Sequence, residues 1–134
     1  MIGYSLDTIS SLTYNAIVAE VVVTDEFKAW YEDLSLEEQE SIFRVVTLLE
    51  GRGVSLGFPY SSAIEGSRHA LRELRIQHGG RPYRVLYAFD PERQAVLLLG
   101  GDKTGHDRFY ETYVPRAEAI WERYLAERDP KGQE

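Results

Sequence analysis

The sequence predicts an α+β domain in which helices pack on an antiparallel sheet. Two consecutive segments with a helical period lie early in the chain, three consecutive segments with strand character follow, and one more helical segment closes it. Strands that run in series, rather than alternating with helices, argue against a parallel α/β sheet. The expected order is β-α-α-β-β-β-α.

Residues 1–17 are rich in Ser, Thr and Tyr without a period, and read as an N-terminal extension ahead of a domain at 18–128. Ala19–Thr24 is a short β-branched strand. Thr24 or Asp25 then caps a helix whose apolar stripe is Phe27, Trp30, Tyr31 and Leu34. Ser35 opens a second helix with a capping box to Glu38; Ile42, Val45, Val46 and Leu49 carry its period, and Gly51 and Gly53 stop it. Residues 54–67 read as a loop. His69–His78 is a half-exposed strand, and Gly79-Gly80 a tight hairpin connection.

Pro82–Asp90 is the clearest strand. It sets Tyr83, Val85, Tyr87 and Phe89 on one face and Arg84, Leu86 and Ala88 on the other. After a turn at 90–93, Ala95–Leu99 is an apolar strand ending at Gly100-Gly101. The helical period returns from Asp107. Pro115 is expected to start a fresh helix carrying Ala117, Ile120, Trp121 and Tyr124, because proline is tolerated at a first helical position. Residues 129–134 read as a polar tail.

The chain of 134 residues is one domain's worth, with a formal net charge of −7. A protein coating nucleic acid through bulk charge needs a basic surface, so that class is excluded. The average hides an asymmetry: residues 1–65 hold 3 basic and 11 acidic side chains, whereas residues 66–84 hold five arginines (68, 72, 75, 81 and 84) against Glu73 alone. There is no cysteine, so no disulfide framework, thiolate metal site or Cys nucleophile. Histidines 69, 78 and 106 lack the spacing of a helical metal pair. No apolar run is long enough for a membrane span, and no secretory leader is evident, so a cytoplasmic protein is expected. The run Gly100-Gly101-Asp102-Lys103-Thr104-Gly105 lacks the spacing of a phosphate-binding P-loop.

The ordered set AEVVVTDEFKAWYEDLSLEEQ, then LRELRIQHGGRPYRVLYAFDPERQAVLLLGGDKTG, then Arg-Phe-Tyr-Glu resembles the HigB/RelE-like toxins of type II toxin–antitoxin modules, and more closely their phage-derived HigB-type branch. The resemblance covers residues 19 to about 126. It implies a microbial-ribonuclease-like fold, a twisted sheet with two helices on one face and the other face open to RNA. It further implies a metal-independent mRNA endonuclease, usually acting on the ribosome, that needs no cofactor. The implied partner is a helix-turn-helix antitoxin of the HigA type, through which alone the protein would meet DNA. By position, the implied functional residues are Arg72, Arg75, Arg84 and Lys103. Where many relatives carry a lysine pair this chain has Asp102-Lys103.

Cleavage without a metal requires a proton removed from the 2′-OH, a stabilised pentavalent phosphate and a protonated 5′-oxygen, and it leaves a 2′,3′-cyclic phosphate. Arginine suits the second task, since its planar fork grips two phosphate oxygens. Arg75 and Arg84 are the expected phosphate ligands, with Lys103 or His78 moving protons; imidazole is the side chain suited to that near neutral pH. Arg68, Arg72, Arg81 and Tyr110 are expected to contact RNA, the tyrosine by stacking on a base or bonding a phosphate. Alternatively, strand arginines are simply solvated and paired with Glu73. A ParE-like toxin acting on a protein target such as gyrase, and an inactive binding subunit of a decayed module, remain the competing functions.

Overall fold

A computed structural model describes residues 17–128, so the expected extension and the polar tail at 129–134 lie outside the described residues, Ile17 apart. The elements are β1 (Val21–Val23), α1 (Asp25–Glu32), α2 (Leu36–Arg52), a 3-10 turn (Gly53–Ser55), β2 (Ser61–Ala63), β3 (Arg72–His78), β4 (Arg81–Phe89), β5 (Ala95–Asp102) and α3 (Phe109–Arg128). They form an α+β domain around one sheet of order β1-β5-β4-β3-β2.

The expectation of a purely antiparallel sheet is corrected. β3, β4 and β5 form an antiparallel meander and β2 pairs antiparallel to β3, but β1 runs parallel to β5, with Val21 opposite Ala95. A hairpin forces its two strands to be antiparallel. β1 reaches the sheet edge through two helices instead, and that connection leaves its direction free.

Two apolar layers sandwich the sheet. On one face Phe27 and Tyr31 of α1, and Ile42, Val46 and Leu49 of α2, pack on Leu74, Ile76, Tyr83, Val85 and Tyr87. On the other, Phe109, Ala117, Ile120 and Trp121 of α3 pack on Leu86, Ala88, Val96 and Leu98. The second face is therefore covered by α3 over much of its area, where an open face was expected. The two-layer helix arrangement follows from β4, whose alternation is the one its sequence shows. Among the described residues no helix is long and apolar enough to cross a membrane.

Local chemistry fixes the element ends. The Ser35 capping box forms as expected: Ser35 N–H donates to Glu38 at 2.8 Å, and Glu38 N–H donates to Ser35 Oγ at 3.1 Å. Gly51 lies within α2, which stops only at Gly53. Gly79 and Gly80 both take positive φ, 57° and 78°, which is the geometry a two-residue hairpin with the native strand twist requires. β2 falls in the stretch expected to be loop. Its three small residues carry no apolar alternation, and their strand state comes from pairing with β3 alone.

The last helix also differs from expectation. α3 runs unbroken through Pro115. An interior proline costs about 3 kcal/mol in an isolated helix. Burial of Phe109 before it and of Ala117, Ile120 and Trp121 after it holds both halves on the sheet.

β5 extends past its expected end, through both glycines to Asp102. The register steps from Leu86↔Leu99 to Tyr87↔Leu97, so Leu98 is the extra residue of a bulge. Leu98 and Leu99 then both join the α3 layer. The bulge carbonyls of Leu97 and Leu98 accept from the Thr24 hydroxyl at 2.9 and 3.0 Å, and the same oxygen accepts from Phe27 N–H as the cap of α1. Beyond the bulge, Gly100 lies under the Trp30 ring of α1 and Gly101 under the Tyr113 ring of α3. A Cβ on Gly100 would stand 2.3 Å from Trp30. Gly100→Ala is expected to cost about 1–3 kcal/mol of unfolding free energy in urea, through overpacking. Gly57→Ala, where a Cβ meets nothing within 4 Å, is expected to stay near the parent and serves as the control.

Candidate functional site

Strand periodicity sorts the arginine-dense segment before any chemistry does. Successive side chains of β3 point to opposite faces, so Arg72 and His78 share a face with the α1/α2 layer, while Glu73 and Arg75 turn to the other. Arg75 lies directly opposite Arg84 across the β3–β4 ladder. Like charges directly opposite repel. Glu73, two residues back on the same face, supplies the compensating charge.

The Glu73 carboxylate is nearly sealed from solvent, its side chain 7% exposed, and it gathers the site. One oxygen accepts from Ser62 Oγ at 2.9 Å and from Arg75 Nη1 at 3.3 Å. The other accepts from the Tyr110 hydroxyl at 2.6 Å and lies 3.5 Å from Arg84 Nε. Ser62 is the register partner of Glu73 on β2. Tyr110 sits in the first turn of α3, set in place by the buried Phe109, whose ring stacks on Tyr113 at 4.1 Å. Burial, followed by the bond to Glu73, raises the Tyr110 hydroxyl above its ordinary pKa of 10, with Arg84 pulling the other way.

Arg84 is the buried cation of the group, with its side chain 8% exposed. Nη1 donates to the Tyr83 carbonyl at 3.0 Å. Nε is close enough to Glu73 for charge attraction but is not aligned for a hydrogen bond, and among the described residues it has no hydrogen-bond partner. Lys103 follows β5 directly. Its N–H donates to the Pro82 carbonyl at 2.8 Å, and its Nζ lies 5.3 Å from the centroid of the Tyr110 ring. Asp102 does not neutralise it: that carboxylate accepts from Arg81 at 3.2 Å and from the Thr104 N–H and hydroxyl at 2.9 and 2.6 Å. The structure thus brings together Arg75, Arg84, Lys103 and Tyr110, four of the residues expected from sequence, around one carboxylate.

Four other expected residues lie elsewhere. Arg72 donates to Ser61 Oγ and the Tyr87 hydroxyl on the α1/α2 side. His78 is bonded to Ser41 of α2 through Nδ1 at 2.8 Å and meets the Tyr83 ring edge-on. Arg81 bridges Glu38 and Asp102. Arg68 is clamped to α3 by Glu118 and Glu122, where His69 also pairs with Glu122. Ser62 is the residue that sequence reading missed. No strand pattern marks it, and only the β2–β3 register reveals that it faces Glu73.

Arg81 belongs to a second polar group that braces the far end of the sheet. Glu38 accepts from Arg81 Nη2 at 3.3 Å and from the Tyr83 hydroxyl by a short bond, in addition to closing the α2 cap. The bond from Tyr83 and then the Ser35 N–H hold the Glu38 carboxyl below its ordinary value of 4.5. Burial, with the bond to Glu38, pushes Tyr83 up to about 12. A depressed carboxyl stabilises the fold fully above pH 4.5, and that contribution is lost as pH falls below it through the folded-state value. Glu38→Gln is expected to lower unfolding free energy by about 1 kcal/mol at neutral pH. The gap from the parent should shrink in urea titrations run at acid pH.

Residues 29–122 match the family described as "Phage derived protein Gp49-like". Two proteins of Mycobacterium tuberculosis (strain ATCC 25618 / H37Rv) are similar to the chain. "Putative toxin HigB3" is 38% identical over 108 residues, which cover 79% of this chain and 93% of that protein. "Putative toxin HigB2" is 36% identical over 106 residues, covering 77% of this chain and 53% of that protein, so the match spans about half of its length. The match begins within α1 and ends within α3, and so contains the whole Glu73 cluster. The chain belongs to the phage-derived Gp49-like family of HigB-type toxins.

Proposed function

We propose that the protein is the toxin of a toxin–antitoxin pair, and that it arrests growth by cutting mRNA at the Glu73 cluster without a metal. The observation that carries this reading is the grouping itself: Arg84 and Arg75, with Lys103 beside them across the Tyr110 ring, are set around a single carboxylate. The surplus of positive charge over that one carboxylate suits a phosphate whose charge grows in the transition state. The family resemblance supplies the mRNA target, ribosome association and the helix-turn-helix antitoxin as parts of the same proposal.

In this mechanism the 2′-oxygen attacks phosphorus and the P–O5′ bond breaks, giving a 2′,3′-cyclic phosphate and a 5′-hydroxyl. Arg75 and Arg84 hold the non-bridging oxygens. The 2′-proton passes to the Tyr110 oxygen as the Tyr110 proton passes to Glu73, along the bond already present at 2.6 Å. Lys103, which has no carboxylate partner among the described residues, gives a proton to the departing 5′-oxygen. His78 takes no part, because it is bonded to Ser41 on the other face of the sheet.

The test is growth arrest on induction, with primer extension on cellular mRNA. The parent chain should generate discrete new 5′ ends. Arg75→Ala and Lys103→Ala should each reduce cleavage about 100-fold or more, as expected for losing a cation that meets the transition state. His78→Ala should keep cleavage within a few-fold of the parent. Arrest without new 5′ ends would instead favour a protein target.

A further inference from the structure

Arg75 leaves the cluster at the sheet's short edge, and what lies there points to a second element of recognition. β2 begins at Ser61, opposite Leu74, and the last main-chain bond on that side joins Arg75 N–H to the Tyr60 carbonyl at 2.8 Å. From Ile76 onward β3 has no strand beside it on that edge among the described residues. A hollow of about 460 Å³ opens there, lined by Leu48 and Arg44 of α2, by Pro59 and Tyr60, and by Arg75 and Gln77. Phe58, next to Pro59 in the chain, is 77% exposed and lies beneath the Arg75 guanidinium, 5.3 Å from its ring centroid. This exposed ring is held beside an arginine that also donates to Glu73.

We propose that Phe58 and Tyr60, with Arg75 and the adjoining hollow, form a stacking subsite for an unpaired nucleobase of the RNA whose phosphate the Glu73 cluster holds. This rests on the RNA-cleaving reading given above. The occupant is argued from chemistry. A base offers an apolar face to an aromatic ring and a π-surface to a guanidinium, and it arrives tethered to a phosphate. The hollow is of the size that small planar ligands occupy. Arg44, which also pairs with Glu40 at 3.1 Å, and Arg75, which also pairs with Glu73 at 3.3 Å, line the hollow and supply guanidinium N–H groups of the kind that bind phosphate oxygens. Because stacking reads no particular base edge, the subsite strengthens binding to single strands without fixing the sequence cut.

The experiment uses the full chain and a short single-stranded RNA, 2′-O-methylated throughout so that it cannot be cleaved, with binding read by fluorescence anisotropy. Phe58→Ala should weaken binding roughly tenfold, the range of one lost stacked base, while Phe58→Trp restores it. An abasic oligomer of the same length should bind parent and Phe58→Ala alike, since only phosphates remain. Equal affinity of parent and Phe58→Ala for the based RNA overturns the subsite and leaves the cleavage reading standing. So does a Phe58→Ala variant that loses only self-association in sedimentation, because the occupant would then be a second copy of the chain. No RNA binding by the parent also overturns the subsite, and the cleavage reading is then decided by the new 5′ ends in cellular mRNA alone.

Discussion

The Glu73 carboxylate is taken out of water where β2, β3, β4 and α3 meet, and a charge buried there costs several kcal/mol unless it is paired and hydrogen-bonded. The surrounding elements are arranged to meet that demand. Ser62 reaches it from β2, Arg75 from its own strand, Arg84 from β4 and Tyr110 from α3. The dependence runs both ways. Arg75 and Arg84 stand opposite each other in the ladder and need an anion between them, and Arg84 is itself buried. One carboxylate thus fixes the short edge strand and the start of the last helix, and at the same time holds two guanidiniums in place before any ligand arrives. Preorganised charge of this kind acts on a phosphate without first having to be assembled.

The bulge at Leu98 is the second constraint, and it sets where Lys103 emerges. Without the extra residue, Gly100 and Gly101 would exchange faces, the Trp30 and Tyr113 rings would each meet a different position, and the residues after β5 would leave the sheet on the opposite side. Thr24 secures the bulge by donating to its carbonyls and ties the register of the sheet to the start of α1. The glycines that suggest a nucleotide-binding loop in the sequence are therefore packing residues. They let two aromatic rings approach the two sides of one strand closely.

Much of this was legible in the sequence, and the exceptions have physical reasons. Capping at Ser35, the double-glycine hairpin and the alternation of β4 are local, and each forms as read. β2, the parallel pairing of β1 and the passage of α3 through Pro115 depend on partners distant in the chain, which no local pattern records. At the site, residue type singled out the arginines, but only the strand period separates Arg75 from Arg72 and His78. Glu73, read as a counter-charge to solvated arginines, does pair with them; its burial, and Ser62 behind it, appear only with the register.

The acidity of the chain fits the same arrangement. The surplus of carboxylates lies in residues 1–65, whereas Arg75 and Arg84 gather around Glu73 on one face of the sheet, with Lys103 beside Tyr110. The central claim is that Glu73 and Arg84 hold each other in place as a buried unit. A double-mutant cycle on unfolding free energy tests it most directly, using Glu73→Ala, Arg84→Ala and the pair together. Each single change should cost about 3 kcal/mol or more by stranding the other charge, and the double should cost little more than either, a coupling of roughly 2 kcal/mol or above. Strictly additive losses would show that the two charges do not depend on each other, and would contradict the account.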